Sequence, residues 1–236
     1  MEKAQTLWNG ITMKTGGAFP LSTDSMCLAD FVPLAAGCRA VDLGSGCGTL
    51  GLLLCGRRED CSAVGVELSL QAHQAALENI RANRLEERLS SVHGDIRNIR
   101  SLLPAGQFDL AVSNPPYFPP GAGLRAEGKH RALAREAGGC PLEALFSAAA
   151  WLLHSGGRFC LIHRTERLAD LFCAGRAAGL EPKRLRLIRH RPDSDANLAL
   201  LEFRRDGGSG LKLLPDLVLY DEKNDPSPDF RRIYHL

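Results

Sequence analysis

The chain has 236 residues, 44% of them hydrophobic, and a formal net charge of +2. This length accommodates one sizeable α/β domain and is short for two. The nearly balanced charge indicates neither a general nucleic-acid-binding surface nor a membrane-binding surface, so any basic partner surface must be local.

The sequence offers no targeting segment and no membrane-spanning segment. Residues 1–10 lack an apolar stretch, and the most apolar helix candidate, residues 142–154, is too short to cross a bilayer and contains Glu143. The eight cysteines form no CxxC pair, and no histidines cluster beside them at the spacing of zinc ligands. We therefore expect a cytoplasmic protein with reduced cysteines used as small core residues, no metal site and no membrane partner.

Apolar runs alternate with helix-like segments along most of the chain. We predict strands at 39–43, 62–68, 89–95, 108–114, 156–164, 183–190 and 196–205, and helices at 48–57, 69–83, 142–154 and 165–179. Ser69 is the predicted N-cap of the second helix, and Gly179 ends the fourth. This order predicts a mostly parallel sheet with helices on both faces. The last two strands, which no helix separates, predict an antiparallel hairpin at the end of the sheet.

Two segments interrupt this alternation. Residues 119–140 are polar, basic and glycine-rich, and a connection of this length in a compact domain is usually functional or disordered. We expect it to be mobile without a partner. Residues 214–236 are polar with scattered aromatic residues, which predicts an irregular tail packed on the domain.

A glycine-rich loop, VDLGSGCGTLG (41–51), lies between the first predicted strand and the first predicted helix. Gly44, Gly46 and Gly48 allow a tight turn and let backbone N–H groups approach a ligand. Ligand sites of this kind lie outside the carboxyl ends of parallel strands. The segment 46–51 also matches the GxGxxG pattern of dinucleotide-binding folds, and a turn without any ligand is a further alternative.

Three acidic residues accompany this loop. Asp42 precedes the glycines and gives the pattern D-x-G-x-G-x-G, which resembles motif I of the class I S-adenosylmethionine-dependent methyltransferases. Glu67, at the end of the next strand, can accept both hydroxyls of an adenosine ribose. Asp95, in the segment HGDI, resembles the group that binds the adenine amino group in that family. The resemblance therefore implies an S-adenosylmethionine site built on three successive strand ends.

The fourth predicted strand ends in a segment that resembles the (N/D)PPY motif of methyltransferases acting on planar amino nitrogens, formed by Asn114, Pro115, Pro116 and Tyr117. The lone pair of such a nitrogen is delocalised, so the nitrogen is a poor nucleophile. The Asn114 side-chain oxygen and the Pro115 carbonyl can each accept one of its N–H groups, which orients the lone pair and stabilises developing positive charge. Tyr117 offers a ring for stacking. Phe118 either extends this surface or anchors the turn. A surface proline turn without function is the alternative.

The motif alone leaves the substrate class open. Adenine N6, guanine N2 of ribosomal RNA and a protein glutamine amide are all planar amino groups. Glutamine methyltransferases of release factors have a similar core but carry a helical domain before motif I, where about forty residues stand here. Many DNA adenine methyltransferases carry a target-recognition domain, for which this chain has no room. A protein that binds cofactor and RNA without turnover is a further alternative, which the intact motif disfavours.

A longer resemblance, to the tRNA1(Val) adenine-N6 methyltransferase family, covers nearly the whole chain. It extends over residues 19–32, 130–171, 181–203 and 213–236. It implies N6 methylation of the adenosine 3′ of the anticodon in valine tRNA, with Asn114 also beside the cofactor and Thr23 and Asp24 at the cofactor's methionine end.

The same resemblance implies an architecture. We expect a single methyltransferase domain over residues 1–236, with a cofactor-capping segment (1–37), a core (38–205) and a C-terminal tail (206–236). The expected Rossmann-like sheet has seven strands in the order 3-2-1-4-5-7-6, of which only the seventh is antiparallel. A monomer is favoured.

Two clusters of basic residues are candidates for RNA phosphate contacts, although a solvated face is the alternative for each. The first, in the 119–140 loop, contains Arg125, Lys129, Arg131 and Arg135. The second contains Lys183, Arg184, Arg186, Arg189 and Arg191. We expect the 119–140 loop to close over a flipped adenine. His130 and His163 are given no catalytic role, because a lone histidine is more often structural.

Overall fold

The computed structural model describes residues 5–6, 8–14, 22–117 and 140–235. Its strands are β1 (Gln5–Thr6), β2 (Thr12–Met13), β3 (Arg39–Leu43), β4 (Ser62–Glu67), β5 (Leu89–His93), β6 (Phe108–Ser113), β7 (Leu153–Arg164), β8 (Leu180–Arg189), β9 (Ala196–Arg205), β10 (Lys212–Leu213) and β11 (Leu217–Val218). Its α-helices are α1 (Thr23–Phe31), α2 (Thr49–Arg57), α3 (Leu70–Ala82), α4 (Ile99–Leu102), α5 (Leu142–Leu152), α6 (Leu168–Ala177) and α7 (Pro228–Tyr234). Short 3₁₀ turns lie at Trp8–Gly10, Ile96–Asn98 and Thr165–Arg167.

The predicted order of the central sheet is confirmed. From one edge the long strands run β5-β4-β3-β6-β7-β9-β8, which is 3-2-1-4-5-7-6 when β3 is counted as the first. Strand β9 is antiparallel to both of its neighbours, β7 and β8, whereas the other long neighbours pair in parallel. Because the parallel strands point the same way, their carboxyl ends meet at one edge, and this edge carries Gly44, Glu67, Asp95 and Asn114.

The predicted strand count and the predicted irregular tail are wrong in detail. Strands β10 and β11 both pair in parallel with β8 and extend the sheet beyond its expected edge. Helix α7 follows them, with Ser227 as its N-cap. The tail also meets the N-terminal region, since the Trp8 indole donates a hydrogen bond to the Ile233 carbonyl at 2.7 Å. Short strands of two residues leave no periodic pattern to find in a sequence.

Two hydrophobic layers cover the two faces of the sheet. One layer holds α1, α2 and α3, and the other holds α5 and α6. Phe146 packs edge-to-face on Phe159 and Phe203, with ring centroids 5.2 and 5.0 Å apart, an arrangement that adds to the stabilisation from burial alone. Six of the eight cysteines are buried in these layers, as expected of small core residues: Cys27, Cys38, Cys47, Cys55, Cys61 and Cys160.

Helix termini follow the predicted signals. The Ser69 hydroxyl accepts a hydrogen bond from the Ala72 N–H at 3.3 Å at the start of α3. Gly179 follows α6 with a φ of 76°, a left-handed conformation that glycine adopts without strain. In the ranges that the structure describes, no helix has the length and apolar composition that a membrane span requires.

Ser227 connects α7 to the sheet, and its replacement tests how firmly the C-terminal segment is held. Its hydroxyl accepts the Phe230 N–H at 3.0 Å and donates to the Val218 carbonyl at 2.5 Å. We expect Ser227→Ala to lower the free energy of unfolding by about 0.5–2 kcal/mol, the usual cost of losing an N-cap. Urea denaturation measures it. Ser209→Ala, at an exposed loop position, is the control; equal effects of the two changes would contradict the capping role.

Candidate active site at the carboxyl edge of the sheet

The glycine loop between β3 and α2 has the geometry that its sequence predicts. Gly44, Gly46 and Gly48 have φ values of 78°, 55° and 87°. Built Cβ atoms at Gly44 and Gly46 would meet no atom within 4 Å, so the backbone conformation, rather than crowding by the protein, requires glycine at these two positions. The same open space leaves room for a ligand to approach the loop backbone.

Glu67, at the end of β4, fixes this loop. Its two carboxylate oxygens accept the Gly46 N–H at 2.8 Å and the Ser69 N–H at 2.7 Å. Each oxygen has a further lone pair, so the carboxylate can still accept hydroxyl groups from a ligand. The predicted ribose-binding position of Glu67 is therefore compatible with its structural contacts.

Asp42 faces a cavity of about 260 Å³ beneath the loop, together with Ser25, Gly44 and Asn114 among its lining residues. Its side chain is buried, and neither carboxylate oxygen has a hydrogen-bond partner among the residues that the structure describes. Burial, with a smaller contribution from Glu67, raises the pKa of Asp42 to about 8. An unpartnered buried carboxyl group is costly to the fold and marks a candidate ligand site.

Asp95, after the end of β5, has partners of its own. Its carboxylate accepts the Arg97 backbone N–H at 2.9 Å and forms an ion pair with the Arg97 guanidinium. The hydrogen bond from the Arg97 side chain lowers the pKa of Asp95. Asp95 is therefore a carboxylate at the edge of the sheet, and its predicted contact with adenine stays a prediction.

The motif after β6 is held by the first turn of α1. The Asn114 side-chain nitrogen donates to Ser25 Oγ at 3.0 Å and lies 3.4 Å from Ser22 Oγ. The Tyr117 hydroxyl lies 2.8 Å from Asp24 Oδ2 and 3.0 Å from Asn114 Oδ1. Asp24, predicted at the methionine end of the cofactor, thus contacts the motif directly in this structure.

Sequence reasoning missed both serines that hold Asn114. Ser22 is the N-cap of α1, and a serine directly before an apolar helix is a recognisable N-cap signal. That signal predicts a helix start, but not a contact with a residue 92 positions later.

Thr23 accepts a hydrogen bond from the Tyr234 hydroxyl at 3.0 Å, so α7 supports the same turn.

The Tyr117 ring contacts a histidine and an arginine. His163 meets it edge-on, with ring centroids 5.4 Å apart, and the Arg164 guanidinium carbon lies 5.5 Å from its centroid. Burial, together with Asp24, raises the pKa of Tyr117 above its ordinary value, so the phenol keeps its proton. Desolvation and the neighbouring Arg167 lower the pKa of His163 to about 4. His163 is a neutral packing group at neutral pH, in agreement with the absence of a catalytic assignment.

The second basic cluster serves the protein's own structure. Arg184 pairs with Glu202 at 2.6 Å, Arg186 with Asp229 at 2.9 Å, Arg189 with Asp216 at 2.6 Å and Arg191 with Asp193 at 3.9 Å, while Lys183 donates to two backbone carbonyls. Asp216 and Asp229 belong to the C-terminal segment, so these ion pairs attach that segment to β8. Most of these cations therefore have carboxylate partners within the protein, and their predicted contact with RNA phosphates stays a prediction.

Arg164, at the end of β7, was also missed. It is exposed, and within the described ranges no carboxylate forms an ion pair with it. Phe118 and the first basic cluster, Arg125, Lys129, Arg131 and Arg135, lie outside the described residues, as does nearly all of the predicted lid at 119–140.

Comparison with known proteins shows which sequences this chain is similar to. A family model described as the methyltransferase small domain matches residues 21–170. The tRNA1(Val) (adenine(37)-N6)-methyltransferase of Aeromonas salmonicida is 33% identical over 185 residues, which cover 78% of this chain and 76% of that protein. The enzyme of the same name from Tolumonas auensis is 32% identical over 214 residues, covering 90% of this chain and 87% of that protein. The chain belongs to the tRNA1(Val) (adenine(37)-N6)-methyltransferase family.

The fold of the chain is also similar to that of a solved methyltransferase structure. A predicted O-methyltransferase from Agrobacterium tumefaciens superposes with a TM-score of 0.74 at 22% identity, over 90% of this chain and 96% of that chain. At this identity the likeness concerns the fold alone. This likeness supports a class I methyltransferase fold for the chain.

The buried carboxyl of Asp42 predicts a pH-dependent gain in stability on its replacement. The folded pKa of about 8 lies far above the unfolded value, which is about 3.9. Between these values the unfolded state releases a proton that the folded state keeps, so the parent loses stability as pH rises. We therefore expect Asp42→Asn to raise the free energy of unfolding of the cofactor-free protein, by an amount that grows from about pH 4 to about pH 8.

Chemical denaturation of both proteins across this pH range measures the difference. Asp193→Asn, at a side chain that is 81% exposed, is the matched control and should show no such trend. A difference between parent and Asp42→Asn that stays constant with pH would contradict the buried, protonated state of Asp42.

Proposed function

We propose that this protein transfers a methyl group from S-adenosylmethionine to the exocyclic N6 of an adenine in tRNA, the adenosine 3′ of the anticodon of valine tRNA. The observation that carries the proposal is the position of Asn114 and Tyr117, held at the end of β6 beside the glycine loop. The names of its relatives support the choice of substrate. We also propose that residues 1–236 act as one methyltransferase domain, in the cytoplasm, as a monomer.

The residues present fit S-adenosylmethionine. The open left-handed loop leaves room for the cofactor beside its backbone N–H groups, and Glu67 would accept the ribose hydroxyls. The unpartnered carboxyl of Asp42 faces the cavity, where a cationic ligand would favour its ionised form. Asp95, after the end of β5, would bind the adenine end. When bound, S-adenosylmethionine supplies a methyl group on a positively charged sulfur, which keeps the electron pair of the broken carbon–sulfur bond.

The protein's part in the reaction is to hold the target nitrogen. Asn114 Oδ1 and the Pro115 carbonyl accept its two N–H groups and turn its lone pair towards the methyl group. Both acceptors also stabilise the positive charge that appears on nitrogen as the new carbon–nitrogen bond forms. The nitrogen then releases one proton to solvent, since His163 is buried and its lowered pKa makes it a weak base.

Recognition of tRNA requires cations close to this edge of the sheet. The paired arginines of β8 have most of their charge satisfied internally, whereas Arg164 is exposed beside the Tyr117 ring. A phosphate of a nucleotide that stacks on Tyr117 would come within reach of this guanidinium. Arg164 is therefore our candidate for a phosphate contact next to the target base.

Methyl transfer from radiolabelled S-adenosylmethionine to total tRNA from a strain lacking the gene tests the proposal. Digestion to nucleosides should give labelled N6-methyladenosine, and separation of the tRNAs should place it in valine tRNA. Label in N2-methylguanosine, or in glutamine of an added protein and not in tRNA, would contradict the proposed substrate.

Asn114→Ala should separate chemistry from cofactor binding. The change removes an acceptor that strengthens its bond as the nitrogen becomes cationic, and the loss of one such group typically costs roughly 10²–10³ in rate. Cofactor affinity should hardly change, because the glycine loop and Glu67 are untouched. Single-turnover methyl transfer and calorimetric cofactor titration measure the two properties.

Two further variants serve as controls for Asn114→Ala. Asn197→Ala, at an exposed position of β9, is the matched asparagine control and should transfer methyl groups normally. Glu67→Ala should show the opposite split, with cofactor binding weaker by about 1–3 kcal/mol. Normal transfer by Asn114→Ala would mean that the motif is only a turn.

Arg164→Gln should weaken tRNA binding with a characteristic salt dependence. Loss of one phosphate contact lowers the slope of log affinity against log salt concentration by about 0.7–0.9. Binding titrations over a range of salt concentrations measure the slope. Arg81→Gln, on the exposed surface of α3, is the control, and an unchanged slope for Arg164→Gln would exclude the contact.

A further inference from the structure

The Tyr117 hydroxyl has one proton and two neighbouring acceptors. Asp24 Oδ2 lies at 2.8 Å and Asn114 Oδ1 at 3.0 Å from the phenolic oxygen. A hydroxyl donates a single hydrogen bond, so the proton lies mainly on one of the two. The burial of Tyr117 raises its pKa, so this proton is not lost to solvent.

The two choices have different consequences for the reaction. Under the proposed function, Asn114 Oδ1 is the atom that accepts an N–H of the target amino group. A phenolic proton directed at the same oxygen would occupy a lone pair there and withdraw electron density from it. The charge that develops on the target nitrogen would then be less well stabilised.

The other end of the Asn114 amide is already fixed. Ser22 Oγ accepts the Ser25 N–H at 3.2 Å and donates to Ser25 Oγ at 3.2 Å. Ser25 Oγ in turn accepts the Asn114 side-chain N–H at 3.0 Å. The amide nitrogen therefore faces α1, and the oxygen is the end directed at Tyr117 and the substrate.

Asp24 has two advantages as the acceptor of the phenolic proton. It lies in the first turn of α1, where the exposed N–H groups of the helix stabilise negative charge. A hydrogen bond to a carboxylate is also stronger than one to a neutral amide oxygen. The shorter of the two distances is the one to Asp24.

We infer that Asp24 is a positioning residue: it draws the Tyr117 proton away from Asn114 and so leaves Asn114 Oδ1 available to the target amino group. The inference rests on the proposed function. It adds to that function a residue that keeps Asn114 Oδ1 free to accept the target N–H group. It also differs from the expectation that Asp24 serves the methionine end of the cofactor. The same hydrogen bond fixes the orientation of the Tyr117 ring on which the base stacks.

A double-mutant cycle tests this role. Asp24→Asn leaves a neutral side chain that competes poorly for the phenolic proton, which then turns to Asn114. We expect single-turnover methyl transfer at saturating cofactor and tRNA to slow by about 10- to 100-fold, part of the loss typical of a disturbed charge-stabilising group. In a Tyr117→Phe background no phenolic proton exists, so Asp24→Asn should cost less than about threefold there.

The cycle separates this role from support of the helix or of the cofactor, since Tyr117→Phe would relieve neither. If Asp24 served only to orient the Tyr117 ring, Tyr117→Phe alone would be as slow as Asp24→Asn, whereas the inference expects it to transfer methyl groups nearly normally. Equal losses in both backgrounds would overturn the inference. So would a loss of cofactor affinity in Asp24→Asn that accounts for the whole loss of rate. Asp24→Ser, which also suits a helix N-terminus, is carried through the same cycle, so that the result does not depend on the folding of one variant.

Two comparisons complete the design. Asp30→Asn removes another carboxylate of α1, one that pairs with Arg232 away from Tyr117, and should leave methyl transfer unchanged. The unmodified protein transferring no methyl group to tRNA would overturn the proposed function instead. Normal transfer by the unmodified protein, with additive losses in the cycle, would overturn only the role of Asp24.

Discussion

Two serine hydroxyls at the start of α1 hold the Asn114 amide, and the arrangement of the whole site depends on this contact. It joins the end of a central strand to a helix that begins about ninety residues earlier in the chain. With the nitrogen end of the amide fixed, the oxygen end faces the space next to the glycine loop. Tyr117 then completes the arrangement through Asp24, on the same helical turn.

The C-terminal segment also supports this turn. Tyr234 of α7 donates to Thr23, and the ion pairs of Arg186 and Arg189 attach the segment to β8. The tail is thus part of the framework behind the site, although it contributes no residue to the motif itself. Distant parts of the sequence determine the geometry of one short turn, which is what pre-organisation of a weak nucleophile requires.

Local patterns were sufficient to predict the seven long strands of the sheet and the glycine loop. The alternation of apolar strands and helices predicts the order of the long strands. The spacing of Gly44, Gly46 and Gly48 after a buried strand predicts their positive φ values. The contacts of Asn114 could not be predicted, because they depend on how α1 packs against the sheet. The carboxylate partners of Arg186 and Arg189 could not be predicted for a similar reason, since they lie 43 and 27 residues away in sequence.

The central claim is that Asn114 and Pro115 hold the amino group of an adenine. A crystal structure with a non-reactive cofactor analogue and an RNA hairpin bearing the anticodon loop of valine tRNA tests it most directly. The account predicts the adenine N6 within about 2.6–3.2 Å of both Asn114 Oδ1 and the Pro115 carbonyl oxygen, with the Tyr117 hydroxyl on Asp24. A flipped adenine bound with its N6 away from these two oxygens would contradict it.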